Sequence, residues 1–216
     1  LSSYQLEYCQ EFTPDVAILL NLTPDHLGRH NTMENYRITK EKIFRNMHKG
    51  LVLYNPTAFS ISERKPDMTY FALGKDFDYD GESFVEHSLI INRLETILPG
   101  QHNLANIAFS IGAAVYLNVK ESVIKDTLGK FRGLEHRIEY CGQKSDIIFY
   151  NDSKSTTFES TYAAVKSFDS DIFLIICGKL KDGMDIERFL DTLSGERNIK
   201  KIFAVGDICS FINSDP

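Results

Sequence analysis

The chain has no C-x-x-C pair, no long apolar run, no excess of basic charge and no G-x-x-x-x-G-K-[ST] loop. Each absence closes a class. Its cysteines, Cys9, Cys141, Cys177 and Cys209, are widely scattered, which fits reduced thiols in a cytoplasmic protein better than a disulfide frame or a zinc site. No apolar run approaches the ~20 residues of a membrane span, so a membrane protein is not expected. A formal net charge of -6 argues against a nonspecific nucleic-acid binder, which engages phosphates through a basic stripe. Any anion site must be local. The pairs Gly74-Lys75, Gly129-Lys130 and Gly178-Lys179 are followed by Asp, Phe and Leu, so none belongs to a P-loop. Signal peptide, internal repeat and low-complexity segment are also missing. The chain opens on Leu1, in residues that already read as structured, as a cut through a longer protein would.

What is there is an ordinary globular composition. With 216 residues, 43% hydrophobic and 25% charged, the chain is long enough to bury a core in one large or two small domains. Its patterning favours two, residues 1–132 and 133–216. In the first, the continuous apolar run at residues 16–22 reads as a parallel strand covered on both faces. A helix is predicted over 33–49, strands at 51–54 and 68–73, a hairpin turn at 78–84 leading into a strand at 88–91, and helices at 103–117 and 120–131. Beyond Gly133 the pattern alternates strand and helix: 147–150, 158–168, 172–177, 186–193, 202–205 and 208–212. Short apolar strands separated by helical stretches predict βαβ units and a parallel, Rossmann-like sheet. The expected fold class is therefore α/β throughout.

Four polar clusters punctuate this framework. Asp152-Ser153-Lys154 follows the apolar run 146–151 and precedes a helical stretch. A carboxylate, a hydroxyl and an ammonium at a strand end suit a phosphate or Mg-nucleotide site, because strand ends and helix N-termini in α/β folds collect anions. The others are residues 23–30, with His26 and His30; residues 99–106, with Asn103 and Asn106; and residues 133–137, with His136-Arg137. Taken alone, His26 reads as a turn histidine, Lys40 as a solvated helix lysine, Asn103 as an N-cap and His136-Arg137 as an exposed basic pair. A zinc pair of His26 and His30 is the weakest option, since no glutamate base lies between them and no nearby cysteine completes a ligand set.

In their order along the chain the clusters resemble the Mur ligases, and within that family the members that add D-glutamate. Leu1-Ser2-Ser3-Tyr4-Gln5-Leu6-Glu7 is similar to the end of a Glu-x-Ser-Ser-Tyr/Phe-Gln-Leu-Glu motif. Asp25-His26-Leu27-x-Arg29-His30 with Tyr36-Arg37-Ile38-Thr39-Lys40 resembles the metal-and-lysine segment. Pro99-Gly100-x-His102-Asn103-x-x-Asn106 resembles the start of the adenine-side helix, Gly133-Leu134-x-His136-Arg137 the domain junction, and Asn151-Asp152-Ser153-Lys154-Ser155-Thr156 the C-terminal-domain signature.

The resemblance implies the C-terminal part of a P-loop-type central ATPase domain, then a truncated Rossmann-like C-terminal domain. It implies a cytoplasmic, ATP- and Mg2+-dependent amide ligase of peptidoglycan precursor synthesis. ATP phosphorylates the alanine carboxylate of UDP-N-acetylmuramoyl-L-alanine, and the amine of D-glutamate attacks the acyl phosphate. By the same resemblance His26 and a carbamylated Lys40 hold magnesium; Asn103, Asn106, Arg137 and Asp152 bind ATP; Lys40, Asp152 and Lys154 serve catalysis; and Ser2, Thr156 and Lys181 bind substrate. Polar groups from the two domains are then expected to face one pocket.

The sequence departs from the family pattern at Gly28, where aspartate is common, and at Cys177, which replaces the first glycine of the segment that carries Lys181. Lacking a P-loop, this stretch is expected to be inactive by itself. Other readings stay open: a noncatalytic nucleotide-binding module, a sister Mur ligase that adds another amino acid, or a folylpolyglutamate synthase.

Overall fold

The computed structural model describes residues 1–61, 63–79, 83–86, 89–92, 96, 98–179 and 185–212. They form two compact units, Leu1–Leu98 with His102–Phe131, and Pro99–Gln101 with Arg132–Pro216.

The first unit is built on a three-stranded parallel sheet in the order β1 (Val16–Leu19), β2 (Gly50–Tyr54), β3 (Met68–Ala72). Val16 pairs with Leu51, and Leu51 with Thr69. β2 is central and buried along nearly its whole length. Because side chains alternate across a strand, Leu51 and Leu53 enter one core while Val52 and Tyr54 enter another. The Leu51 side is covered by α4 (Gln101–Tyr116) and α5 (Glu121–Lys130), through Leu104, Ala108, Ile111 and Ile124. The Val52 side is filled by Met47, Phe59, Met68 and Tyr70.

Two glycines set the close approaches. A Cβ on Gly112 would stand 3.3 Å from Leu53 Cδ2, which lets α4 lie low on the sheet. Gly50, at φ +118°, would place a Cβ 2.4 Å from the Asp15 carbonyl oxygen, so no other residue opens β2 at this point. An antiparallel meander of β4 (Phe77–Tyr79), β5 (Ser83–Glu86) and β6 (Leu89–Asn92) follows β3. The tip of the expected hairpin, residues 80–82, and Ser88 lie outside the described residues.

Three short helices precede or follow β1: α1 (Ser3–Tyr8), α2 (Leu27–His30) and α3 (Met33–Glu41). Their starts follow local chemistry. Ser2 and Gln5 form a capping box on α1, and the Thr32 hydroxyl accepts from Asn35 N at 3.1 Å on α3. The helix expected over 33–49 is shorter: α3 gives way to a 3-10 turn at Lys42–Phe44. Met47 is drawn into the sheet core, and Asn46 donates to the Gln10 carbonyl, so the chain leaves the helix to enter β2.

In the second unit β9 (Ile172–Cys177) and β10 (Ile199–Val205) form a parallel pair. One face is covered by α6 (Phe158–Val165), α7 (Ile186–Ser194) and the segment at Ile208, with Phe158 and Phe189 stacked at 4.0 Å. On the other face Phe173, Ile175, Phe203 and Val205 are exposed. A 3-10 turn at Gly206–Ile208 and α8 (Cys209–Ile212) close the described chain.

The strand at 147–150 corrects the expected all-parallel sheet. β8 (Ile147–Asn151) pairs antiparallel with β7 (Glu139–Lys144), not with β9 or β10. β7 is polar and has no apolar run to announce it, while Ser145 at φ +54° provides the tight turn that a hairpin needs.

Candidate active site

Several of the residues singled out by sequence form a group in each unit. In the first, α1, α2 and α3 gather Tyr4, Glu7, Asp25, His26, Arg29, His30, Tyr36 and Lys40. His26 sits in the left-handed region at φ 55°. Its amide donates to Asp25 Oδ1 at 2.8 Å, and its Nε2 lies 3.2 Å from Asp25 Oδ2. The His26 ring meets Tyr4 and Tyr36 edge-on, with centroids 5.1 and 6.3 Å away. Lys40 Nζ lies 5.6 Å from the Tyr36 ring centroid. Burial pushes the Lys40 amine below its ordinary pKa, and Asp25 opposes this. Burial, aided by Asp25, pushes the Tyr36 phenol up.

His30 does not join His26 as a ligand pair. It is buried, hydrogen-bonded at 2.9 Å between Nε2 and Ser3 Oγ, stacked on Tyr36 at 5.1 Å, and 3.7 Å from Glu7 Oε1 through Nδ1. Arg29 donates to Glu7 Oε2 from Nε and Nη2 at 3.1 and 2.9 Å, which holds the Glu7 carboxyl below its ordinary range. His30 and Arg29 thus tie α2 to α1. Ser2 is engaged as a helix cap, its hydroxyl accepting from Gln5 N at 3.2 Å. Asn103 and Asn106 are half-buried in the first turns of α4, with Asn106 Nδ2 3.4 Å from Asn103 Oδ1. The helix already begins at Gln101, so Asn103 lies within it and is not its N-cap.

Among the described residues no three His, Cys, Asp or Glu side chains come together as a metal set. Asp25 and His26 offer a carboxylate and an imidazole. An unmodified Lys40 ammonium beside them would repel a cation, whereas a carbamate on Lys40 would complete an anionic donor set of the kind a hard divalent ion favours. The residues fit magnesium in that form.

In the second unit the group is held mainly through the main chain. Asp152 Oδ1 accepts from Ile138 N at 3.1 Å, and Oδ2 accepts from the Ser155 hydroxyl. Lys154 N donates to the His136 carbonyl at 3.0 Å, and the Asn151 amide lies 2.9 Å from His136 Nδ1. Arg137, Lys154 and Thr156 point exposed side chains outward, and the Arg137 and Lys154 cations have no hydrogen bond or ion pair among the described residues. Lys181 lies outside the described residues.

Sequence reasoning named neither Asp25 nor Tyr36 as a site residue, although both stand inside the quoted motifs; the spacing of Asp25 next to His26 was the available signal. It also missed Ser155 and Ile138 as partners of Asp152.

Residues 1–114 match the family described as Mur ligase middle domain. A UDP-N-acetylmuramoylalanine--D-glutamate ligase of Caldicellulosiruptor bescii is 34% identical over 231 aligned residues, covering 100% of this chain and 50% of that protein. The enzyme of the same name from Clostridioides difficile is 34% identical, covering 99% and 50%. The chain therefore spans about half the length of the curated relatives it matches. Among solved structures, a UDP-N-acetylmuramoylalanyl-D-glutamyl-2,6-diaminopimelate--D-alanyl-D-alanyl ligase from Acinetobacter baumannii superposes with a TM-score of 0.72 at 18% identity, covering 92% of this chain and 47% of that one. MurF from Thermotoga maritima, solved in complex with ADP, gives 0.65 at 18% identity, covering 93% and 54%. The α/β fold with its parallel sheets is thus shared with solved Mur ligases, and by the match over its first 114 residues the chain belongs to the Mur ligase family.

Proposed function

We propose that the chain supplies part of the central ATP-binding domain and part of the C-terminal domain of a cytoplasmic ligase. The enzyme joins D-glutamate to UDP-N-acetylmuramoyl-L-alanine in peptidoglycan precursor synthesis. The alanine carboxylate takes the terminal phosphoryl group of ATP and ADP leaves. The amine of D-glutamate then attacks the acyl carbon, phosphate leaves, and an amide remains.

The observation that carries this reading is Lys40, a half-buried lysine that feels the charge of Asp25, the carboxylate that pairs with His26. Burial favours its neutral amine, the form that adds carbon dioxide, and a carbamate there would hold magnesium with His26 and Asp25. Magnesium bound there would neutralise charge on the phosphates. Arg137 supplies a planar guanidinium for phosphate oxygens, and Lys154 a second cation. Asn103 and Asn106 present amide donors and acceptors to the adenine. Asp152 belongs to the nucleotide side with Arg137. Ser2 faces the muramoyl substrate, and Thr156 with Lys181 receives D-glutamate.

The test is phosphate release from ATP by the whole protein. Release is expected only when both UDP-N-acetylmuramoyl-L-alanine and D-glutamate are present, and K154A is expected to abolish it with the fold intact. Equal turnover with another amino acid would overturn the specificity, and a near-normal K154A would remove Lys154 from the site. Carbamylation is read separately, as a bicarbonate-derived carbon-13 carbamate signal that disappears in K40R.

A further inference from the structure

The segment 133–138 holds its main chain in an unusual conformation. Gly133, His136 and Ile138 have φ of +94°, +65° and +46°. Glycine adopts such angles freely, but Ile138 is β-branched, and its Cβ crowds the backbone there; a β-branched residue in this region is a true outlier that persists only where its surroundings over-determine it. The surroundings here do. His136 N donates to Glu139 Oε2 at 2.8 Å, and Arg137 N to the Leu134 carbonyl at 3.2 Å. The His136 carbonyl accepts from Lys154 N. At Ile138 itself, whose side chain is buried, the amide donates to Asp152 Oδ1 at 3.1 Å. Ser155 braces Asp152 twice, its hydroxyl donating to the carboxylate at Oδ2 and its amide to the main-chain carbonyl at 2.9 Å. Both carboxylate oxygens are therefore occupied by protein groups.

We propose that Asp152 is a positioning residue: its carboxylate, braced by Ser155, latches Ile138 in the left-handed conformation and so fixes the strained segment that carries His136 and Arg137. Asp152 thereby sets the backbone from which Arg137 reaches the nucleotide. Only the kinetic part of this inference rests on the ligase reading; the latch is a property of the second unit alone.

Trypsin reads the latch in the 216-residue chain, because Arg137 is a cleavage site inside the strained segment. Cleavage after Arg137 is expected to be at least about ten-fold faster in D152A, and within about two-fold of the parent in D152N, whose amide oxygen still accepts from Ile138 N. A D152A rate equal to the parent's, or a D152N rate equal to that of D152A, overturns the proposal. Should D152A fail to fold, amide exchange at Ile138 in the unmodified chain decides: protection of about a hundred-fold or more is expected, and an unprotected amide overturns the latch.

In the whole protein, D152A is expected to raise KM for ATP by about ten-fold or more with a smaller loss in kcat, and D152N to restore it. If D152N binds ATP as poorly as D152A while resisting trypsin like the parent, the latch does not carry the effect on ATP and the positioning role falls. A whole protein that ligates nothing would sink the ligase reading and leave the trypsin result standing.

Discussion

The two units hold their site residues by different means. In the first, Tyr4, His26, His30 and Tyr36 pack ring against ring, His30 is buried, and Lys40 is half-buried behind them. In the second, Arg137, Lys154 and Thr156 are exposed, and main-chain hydrogen bonds through His136, Ile138 and Asp152 set the segments that carry Arg137 and Lys154. The sheets differ in the same sense. β2 is packed on both faces, whereas β9 and β10 are packed on one. Packing fixes side chains and desolvates them, which moves pKa values; backbone bonding fixes the chain and leaves side chains in water. Burial displaces Lys40 and Tyr36 of the first unit, whereas side-chain hydrogen bonds displace Glu7 of the first unit and Tyr162, Lys166 and Glu196 of the second.

The sharpest way to break the comparison is Gly50→Ala. A left-handed φ of +118° and a Cβ 2.4 Å from the Asp15 carbonyl act together, and the expected loss is at least about 3 kcal/mol. Urea unfolding should show the first unit melting early and the second unchanged; an unaltered midpoint would mean that β1 and β2 adjust independently of the packing described.

Next in size is a paired test of the sheet faces. Leu53 is fully buried beneath α4, so Leu53→Ala should cost about 2–5 kcal/mol. Ile175 is 69% exposed on the uncovered face of β9, so Ile175→Thr should change stability by less than about 0.5 kcal/mol. Comparable losses at the two positions would show that the outer face of β9 is covered in solution.

The same contrast explains what could be read in the sequence. β1, β2, β3, β9, α4, α5 and α7 announce themselves as apolar runs or helical periodicities, because each contributes to a packed core. β7 does not, since Glu-Tyr-Cys-Gly-Gln-Lys contributes to none, and with β7 unseen the antiparallel pairing of β8 could not be foreseen. Within the site, His26 and Lys40 stand out only through the family motif, since by themselves they read as a turn histidine and a solvated lysine, and Asp25 next to His26 went unnamed. The bond from Ile138 N to Asp152 joins positions far apart in sequence through a backbone amide, a group that every residue except proline carries, so no residue type could signal it.

The smallest expected effect concerns the ties between helices. Glu7 binds α1 to α2 through Arg29, and Glu196 bonds Tyr162 and Lys166 of the second unit. In each case hydrogen bonding lowers the folded carboxyl pKa below the ordinary 4.5. A group whose folded pKa is depressed contributes stability above its unfolded value, and that contribution is lost as pH falls through the folded one. Both ties should therefore be intact at neutral pH and fail on acidification below about 4.5. Because both pairs reach solvent, the contributions are small and weaken in salt. E7Q is expected to flatten the acid limb of the first unit's melting profile and leave that of the second, with E196Q doing the reverse. Acid limbs parallel to the parent's in both variants would show that neither carboxylate governs the acid sensitivity of its unit, and that packing sets stability in the second unit as it does in the first.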